Sequence, residues 1–332
     1  MGPHLRFLHL SFLFSLLSNH TIPANALPSA PSSQPQPPLP LPLLIWHGLG
    51  DTYDAEGISS VASLAQETNP GTYVYAIRLS NTTSSDRSAT FFGNLTTQLD
   101  TVCDTLRTHP ILSAAPAVNA LGFSQGGQFL RAYVERCNDP PVRTLVTFGS
   151  QHNGIAQFQT CGATDWLCQG AMGLLRGNVW SDFVQAQLVP AQYYRDPEQL
   201  ADYLDHSNFL ADVNNEREAK NATYKRNLAA LKTFAMYLFS EDKTVHPKET
   251  AWFAEVNGTT GKVTPLEERP IYTEDWLGLK ELSERGGLDY RIAEGEHMQL
   301  DDDVLVNAFQ TYFGPDADEG DAASRYGRED EL

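Results

Sequence analysis

The chain has 332 residues, 41% of them hydrophobic, with 23 Lys and Arg against 41 Asp and Glu. That is enough to bury a full core, as two domains or as one α/β domain carrying an insertion. The net charge of −18 argues against nucleic acid or an anionic membrane surface as the main partner, since both repel an acidic chain.

The first residues read as a secretory signal. His4 and Arg6 accompany an apolar run over residues 5–17, too short to span a bilayer, and Ala24-Asn25-Ala26 supplies an Ala-x-Ala cleavage site. Residues 1–26 are therefore expected to be a signal peptide, which leaves a lumenal or secreted mature chain. No later apolar run has the length of a membrane helix, so no transmembrane segment is expected. Residues 27–42, rich in Pro, Ser and Gln, read as a linker that builds no core.

Leu43-Leu44-Ile45-Trp46 reads as a buried strand, stopped by His47-Gly48-Leu49-Gly50-Asp51. Ile58, Val61, Ala62 and Ala65 follow with helical spacing, and residues 73–77 are β-branched and aromatic, hence a strand. Leu95, Leu99, Val102 and Leu106 mark one helix face, and residues 119–123 and 145–148 are further strands. This alternation calls for a parallel sheet with helices on both faces. From residue 150 to about 231 the rhythm changes to short helical pieces studded with Trp, Tyr, Phe, Leu and Met, which reads as a helical cap inserted into the sheet fold. Strands resume at residues 234–239 and 288–292. Leu305, Ala308, Phe309 and Tyr312 form a last helical stripe, and residues 314–332 read as an acidic disordered tail.

Four cysteines suit an oxidising compartment. Of the three pairings available, Cys103–Cys137 with Cys161–Cys168 is favoured. Metal binding is disfavoured, because there is no Cys-x-x-Cys and no histidine near the pairs. Asn81, Asn94, Asn221 and Asn257 each head an Asn-x-Thr sequon, so N-linked glycans are expected there.

The chemistry centres on Gly122-Phe123-Ser124-Gln125-Gly126, between a strand and a helix-like run. Alone the motif is weak. Between a strand and a helix it describes an elbow that lifts a serine hydroxyl above the sheet. A serine needs a base within hydrogen-bond reach and a third group to orient that base. On this architecture the order is Ser, then Asp or Glu, then His. His47, His109, His152 and His206 precede the strand at 234–239 and so fall out as bases. Asp242 follows that strand, with Glu241 as its near competitor. His297 follows the strand at 288–292, whereas His246 lies too near Asp242 in sequence to reach Ser124 independently. The expected set is Ser124, Asp242 and His297. The amides of Gln125, beside the nucleophile, and Leu49, in the glycine loop after the first strand, are expected to bind the oxyanion.

Several of these segments together are similar to palmitoyl-protein thioesterase. They are Ile45-Trp46-His47-Gly48-Leu49-Gly50-Asp51, the elbow through Arg131, Gly149-Ser150-Gln151-His152-Asn153-Gly154, Phe209-Leu210-Ala211-Asp212-Val213-Asn214 and Glu294-Gly295-Glu296-His297-Met298-Gln299-Leu300. The resemblance runs from about residue 43 to 313. It implies an α/β-hydrolase fold with a helical insertion, no cofactor, and hydrolysis of the palmitoyl-cysteine thioester of S-acylated proteins or peptides, typically in the lysosome. It places the family's triad and oxyanion amides on the residues chosen above, and its disulfides on the favoured pairs. A secreted lipase or carboxylesterase acting on oxygen esters is the alternative, since it would use the same triad. The chain departs from the family at Thr52-Tyr53-Asp54, where adjacent cysteines often stand. It also ends in Glu329-Asp330-Glu331-Leu332, which is similar to an endoplasmic-reticulum retrieval signal.

Overall fold

In a computed structural model, residues 39–158, 161–175 and 178–314 are described. The expected signal peptide, the linker up to residue 38 and the acidic tail beyond Gly314 lie outside the described residues.

The first half alternates as β1 (Leu43–Trp46), α1 (Glu56–Thr68), β2 (Val74–Ala76), α2 (Thr83–Ala89), α3 (Leu95–Thr108), β3 (Val118–Phe123), α4 (Gln125–Arg136) and β4 (Val142–Phe148). Between β4 and the next strand the described residues form only helices: α5 (Trp166–Leu175), α6 (Asp182–Gln187), α7 (Val189–Gln192), α8 (Leu200–His206), α9 (Leu210–Val213) and α10 (Ala222–Ala229), with a short 3₁₀ turn before α8. Then come β5 (Thr233–Phe239), a two-residue antiparallel pair β6 (Glu255–Val256) and β7 (Val263–Thr264), α11 (Pro270–Thr273), α12 (Leu279–Glu284), β8 (Leu288–Ala293) and α13 (Asp302–Phe313).

The main sheet has the order β2-β1-β3-β4-β5-β8, and every neighbouring pair is parallel. Its strands read as continuous apolar runs because both faces are covered. Successive side chains go to opposite faces. Leu44, Trp46, Ala120, Leu145, Phe234 and Met236 join one core with α3, α4 and α10. Leu43, Ile45, Leu121, Phe123, Val146, Ala235 and Tyr237 join a second core with α1 and α13. Helix α3 buries Leu95, Leu99, Val102 and Leu106, and its N-cap Asn94 accepts a hydrogen bond from the Thr97 amide at 3.1 Å.

β1 has its expected bounds, and the other strands differ from the sequence expectation by one to three residues: β4 begins three residues earlier and β2 is trimmed at both ends. Helix α2, the β6–β7 pair and α12 carry no clear period and were not expected. Helix α10 returns from the inserted stretch to pack against α4. Both favoured disulfides form: Cys103 of α3 joins Cys137 at the end of α4, and Cys161 joins Cys168 of α5.

Candidate active site

The turn from β3 to α4 forces Ser124 into φ 52° and ψ −125°, a conformation that an L-residue holds only when its surroundings impose it. The Ser124 amide donates to Phe148 O at 2.8 Å, pinning the turn to β4. Close approach explains the glycines. A Cβ on Gly122 would stand 2.2 Å from Gly127 Cα, and one on Gly126 would stand 2.3 Å from Trp46 O.

Three side chains from separate loops meet here. His297 Nε2 lies 3.1 Å from Ser124 Oγ, and His297 Nδ1 lies 2.6 Å from Asp242 Oδ2. Asp242 is buried, and its other oxygen accepts from the Thr244 and Val245 amides at 2.8 and 2.9 Å. Those two bonds fix the carboxylate, so it holds the imidazole with one nitrogen turned to the serine. The positive φ of Gly295 (104°) and Met298 (62°) gives the turn after β8 the bend that carries His297 back over the elbow. Asp242, rather than Glu241, meets the histidine, since Glu241 is exposed, as is His246. A relay of this kind can take a proton from the hydroxyl as it attacks an acyl carbon and return it to a leaving group.

The glycine loop after β1 lies against the serine: a Cβ on Gly48 would be 3.2 Å from Ser124 Cβ. The loop is held from below by a residue that the sequence did not single out. Asp86 of α2 is fully buried, 3.1 Å from His47 Nε2, and accepts from the Tyr53, Leu79 and Ser80 amides at 3.0, 2.6 and 3.2 Å. Burial alone would raise its carboxyl, but His47 and the amides outweigh burial and hold it below its usual value. Arg87, next in α2, donates to Gly50 O at 2.9 Å and pairs with Asp165 at the start of α5. On the other side of the serine, Gln125 is locked through its side chain, which accepts from Tyr193 OH at 3.1 Å and donates to Thr90 O at 3.4 Å. The backbones of Leu49 and Gln125 therefore lie in segments braced on either side of Ser124 by side-chain contacts.

Two spaces meet at Ser124. One, of about 380 Å³, lies between α1 and α13 and is lined by Ile58, Val61, Leu64, Phe123 and Leu300 together with Asp51 and Asp302. The other, about 30 Å³, faces the inserted helices and is lined by Ile155, Phe158, Met172, Tyr193 and Val245.

His152 is elsewhere. It is buried and stacked on Phe253, accepts from Arg131 Nε at 3.3 Å and lies 3.0 Å from Thr147 Oγ1. Burial, then the Arg131 charge, hold its pKa well below the usual histidine value, so it stays neutral. Arg131 also pairs with Glu135 at 2.7 Å and donates to Asn214 Oδ1 and the carbonyls of His152 and Val213. The histidine thus belongs to a structural network joining α4 to the end of α9. Of the other expected positions, Asn81, Asn221 and Asn257 are exposed and Asn94 is half-buried. Among the described residues no group of His, Cys, Asp and Glu could hold a metal ion.

A six-stranded parallel sheet with a serine on the sharp turn after β3, and an acid and a histidine on the loops after β5 and β8, is the arrangement of an α/β-hydrolase. The sequence profile of the palmitoyl protein thioesterase family matches residues 42–297, and the chain belongs to that family. It is 38% identical over 269 residues to palmitoyl-protein thioesterase 1 of Caenorhabditis elegans, covering 80% of this chain and 89% of that protein. It is 32% identical over 248 residues to palmitoyl-protein thioesterase 3 of Dictyostelium discoideum, covering 74% and 81%. The lysosomal thioesterase PPT2 of Rattus norvegicus is 28% identical over 275 residues, covering 79% and 85%.

Proposed function

We propose that this chain removes palmitate from S-acylated proteins or peptides through a serine acyl-enzyme, with Ser124, His297 and Asp242 as its working groups. The observation that carries the roles is the continuous pair of contacts, 3.1 Å and 2.6 Å, from hydroxyl to imidazole to carboxylate. Ser124 Oγ bonds to the thioester carbon while His297 takes the hydroxyl proton. The Leu49 and Gln125 amides donate to the oxygen that becomes negative. When the carbon–sulfur bond breaks, His297 returns the proton and the cysteine thiol leaves. Water then attacks the acyl-enzyme, its proton passing to His297, and the carbon–oxygen bond to Ser124 breaks as His297 gives that proton to Ser124 Oγ, releasing palmitate and restoring the hydroxyl. Asp242 holds the imidazole in the required tautomer and supports its positive charge. The larger, mostly apolar space of about 380 Å³ between α1 and α13 is the one with room for the acyl chain.

Residues 43–313 form the hydrolase domain in this reading, with the inserted helices as its cap. The chain enters the secretory pathway by its signal peptide, carries glycans at Asn81, Asn94, Asn221 and Asn257, and acts in the lysosome, as the names of its lysosomal relatives suggest. Hydrolysis of a palmitoyl-cysteine peptide and its oxygen-ester counterpart, over a series of chain lengths, tests the substrate class. Long-chain thioesters should be preferred, and Ser124→Ala should lower kcat by about 10⁴-fold or more. A preference for short oxygen esters would overturn the substrate assignment, and an unchanged rate in Ser124→Ala would remove the serine from the reaction.

A further inference from the structure

His297 is carried by a turn whose pivot is a glycine. Gly295 has φ 104°, and a glycine by itself holds one conformation poorly. Both polar groups of this pivot are nevertheless engaged, and by the segment that leads to Asp242. Gly295 O accepts from the Glu241 amide at 2.9 Å, and the Gly295 amide donates to Ser240 Oγ at 3.0 Å. Ser240 Oγ in turn donates to Glu294 Oε2 at 2.7 Å, and the Ser240 amide donates to Ala293 O at 2.9 Å. From the other side Lys248 Nζ donates to Ser240 O. These bonds lie just beyond the last register pair of the two strands, Phe239 of β5 opposite Ala293 of β8. Asp242 follows shortly after Ser240, and His297 shortly after Gly295. The Ser240 hydroxyl therefore crosses from the acid-bearing loop to the base-bearing loop just ahead of their own 2.6 Å contact.

We propose that Ser240 is a positioning residue for the reaction: its hydroxyl locks the glycine pivot so that His297 stays in line between Asp242 and Ser124. The Glu241 amide holds the peptide plane that follows Gly295, and the Ser240 hydroxyl holds the plane that precedes it. With both planes held, φ and ψ of the glycine are fixed. With only the first held, φ is released, and the turn can swing the imidazole away from its two partners. Glu294 has a supporting part. By accepting the hydroxyl proton of Ser240, its carboxylate leaves the oxygen lone pairs free for the Gly295 amide. The sensitivity of the reaction supplies the consequence, since misplacing a catalytic group by about 1 Å costs about 10²-fold in rate. This inference rests on the reading of Ser124, His297 and Asp242 as the working groups.

The test is hydrolysis of a palmitoyl-cysteine peptide by the full chain and its variants, with active sites counted by a fluorophosphonate that labels Ser124. Ser240→Ala should label to the same final stoichiometry as wild type, while kcat per labelled site falls about tenfold and KM stays within about twofold. A merely structural role would lower the labelled fraction and leave the rate per site unchanged. Ser240→Thr keeps the hydroxyl and should bring kcat back to within about threefold of wild type. Because Glu294 acts through Ser240, Glu294→Ala should slow the enzyme less than Ser240→Ala does, and adding it to Ser240→Ala should change kcat by less than about twofold. A wild-type rate per site in Ser240→Ala, a loss of sites in place of rate, no recovery in Ser240→Thr, or a double variant slowed by both factors would overturn the proposal. The two readings fail separately. Activity retained by Ser124→Ala defeats the triad itself, whereas a dead Ser124→Ala beside an unimpaired Ser240→Ala defeats only the role of Ser240.

Discussion

Ser124 holds a strained backbone because Gly122 and Gly126 let β1, β3 and α4 approach closely, so its hydroxyl is placed by the absence of side chains around it. Asp242 is placed by backbone amides, and its role is separable from that of the serine. Asp242→Asn keeps the shape but offers the imidazole a donor in place of an acceptor, and kcat should fall by about 10⁴-fold with the fold intact. Steady-state kinetics beside a thermal melt checks this. Glu135 gives a prediction about pH. Burial, opposed by Arg131, pushes its carboxyl up from 4.5 to about 7. Between those values the folded protein holds more protons than the unfolded chain, so this group's contribution to stability is present in acid and is lost as pH rises through about 7. Glu135→Gln removes that loss. The Tm of the variant relative to wild type should therefore be higher at pH 8 than at pH 5, and thermal melts at both values test the sign.

At the scale of elements, the site depends on how firmly its loops are anchored. Helix α2 contributes Asp86 and Arg87, which hold the glycine loop from one side, and its sequence, Thr83-Ser84-Ser85-Asp86-Arg87-Ser88-Ala89, has no apolar stripe to announce it. The two disulfides anchor different things. Cys103–Cys137 ties α3 to α4, the helix that carries the elbow, across a separation of 34 residues, while Cys161–Cys168 closes only 7. In the chain-entropy view the first restrains the unfolded chain more, by about 4 against about 2 kcal/mol. Replacing Cys103 and Cys137 by Ser should lower Tm more than replacing Cys161 and Cys168. Calorimetry of the two double variants decides the order.

Over the whole molecule, the inserted helices are fastened to the later chain by buried charges. Glu216, just after α9, is 3.2 Å from both Arg195 and Arg269, and Arg195 also pairs with Glu255 at 2.6 Å. Burial would raise Glu216, but the two guanidiniums outweigh it and hold its pKa below the usual carboxylate value. Its stabilisation is therefore present above the unfolded pKa and is lost as pH falls through the folded one. Glu216→Gln leaves two buried guanidiniums sharing Glu255, at a cost of about 3–5 kcal/mol. The expected drop in Tm is on the order of 10 °C near neutral pH, and thermal melts measure it. That penalty should shrink in acid, as the wild-type carboxyl becomes neutral too.

The amino-acid sequence by itself determined the parallel sheet, its flanking helices and the order of serine, acid and histidine. Each of these is written in local periodicity or in a constraint on chain order, as with the run at residues 234–239 followed by Asp242. It also marked the residues that must be small, because an elbow with Gly122 and Gly126 carries its steric demand in its own letters. Only the tertiary structure decided that Asp242 rather than Glu241 faces His297, that Asp86 and Tyr193 brace the two amide-bearing segments, and that His152 is a neutral strut. Those outcomes depend on which polar side chains are desolvated together across separations of tens of residues. No periodicity records such burial, because it is a property of elements packed against one another.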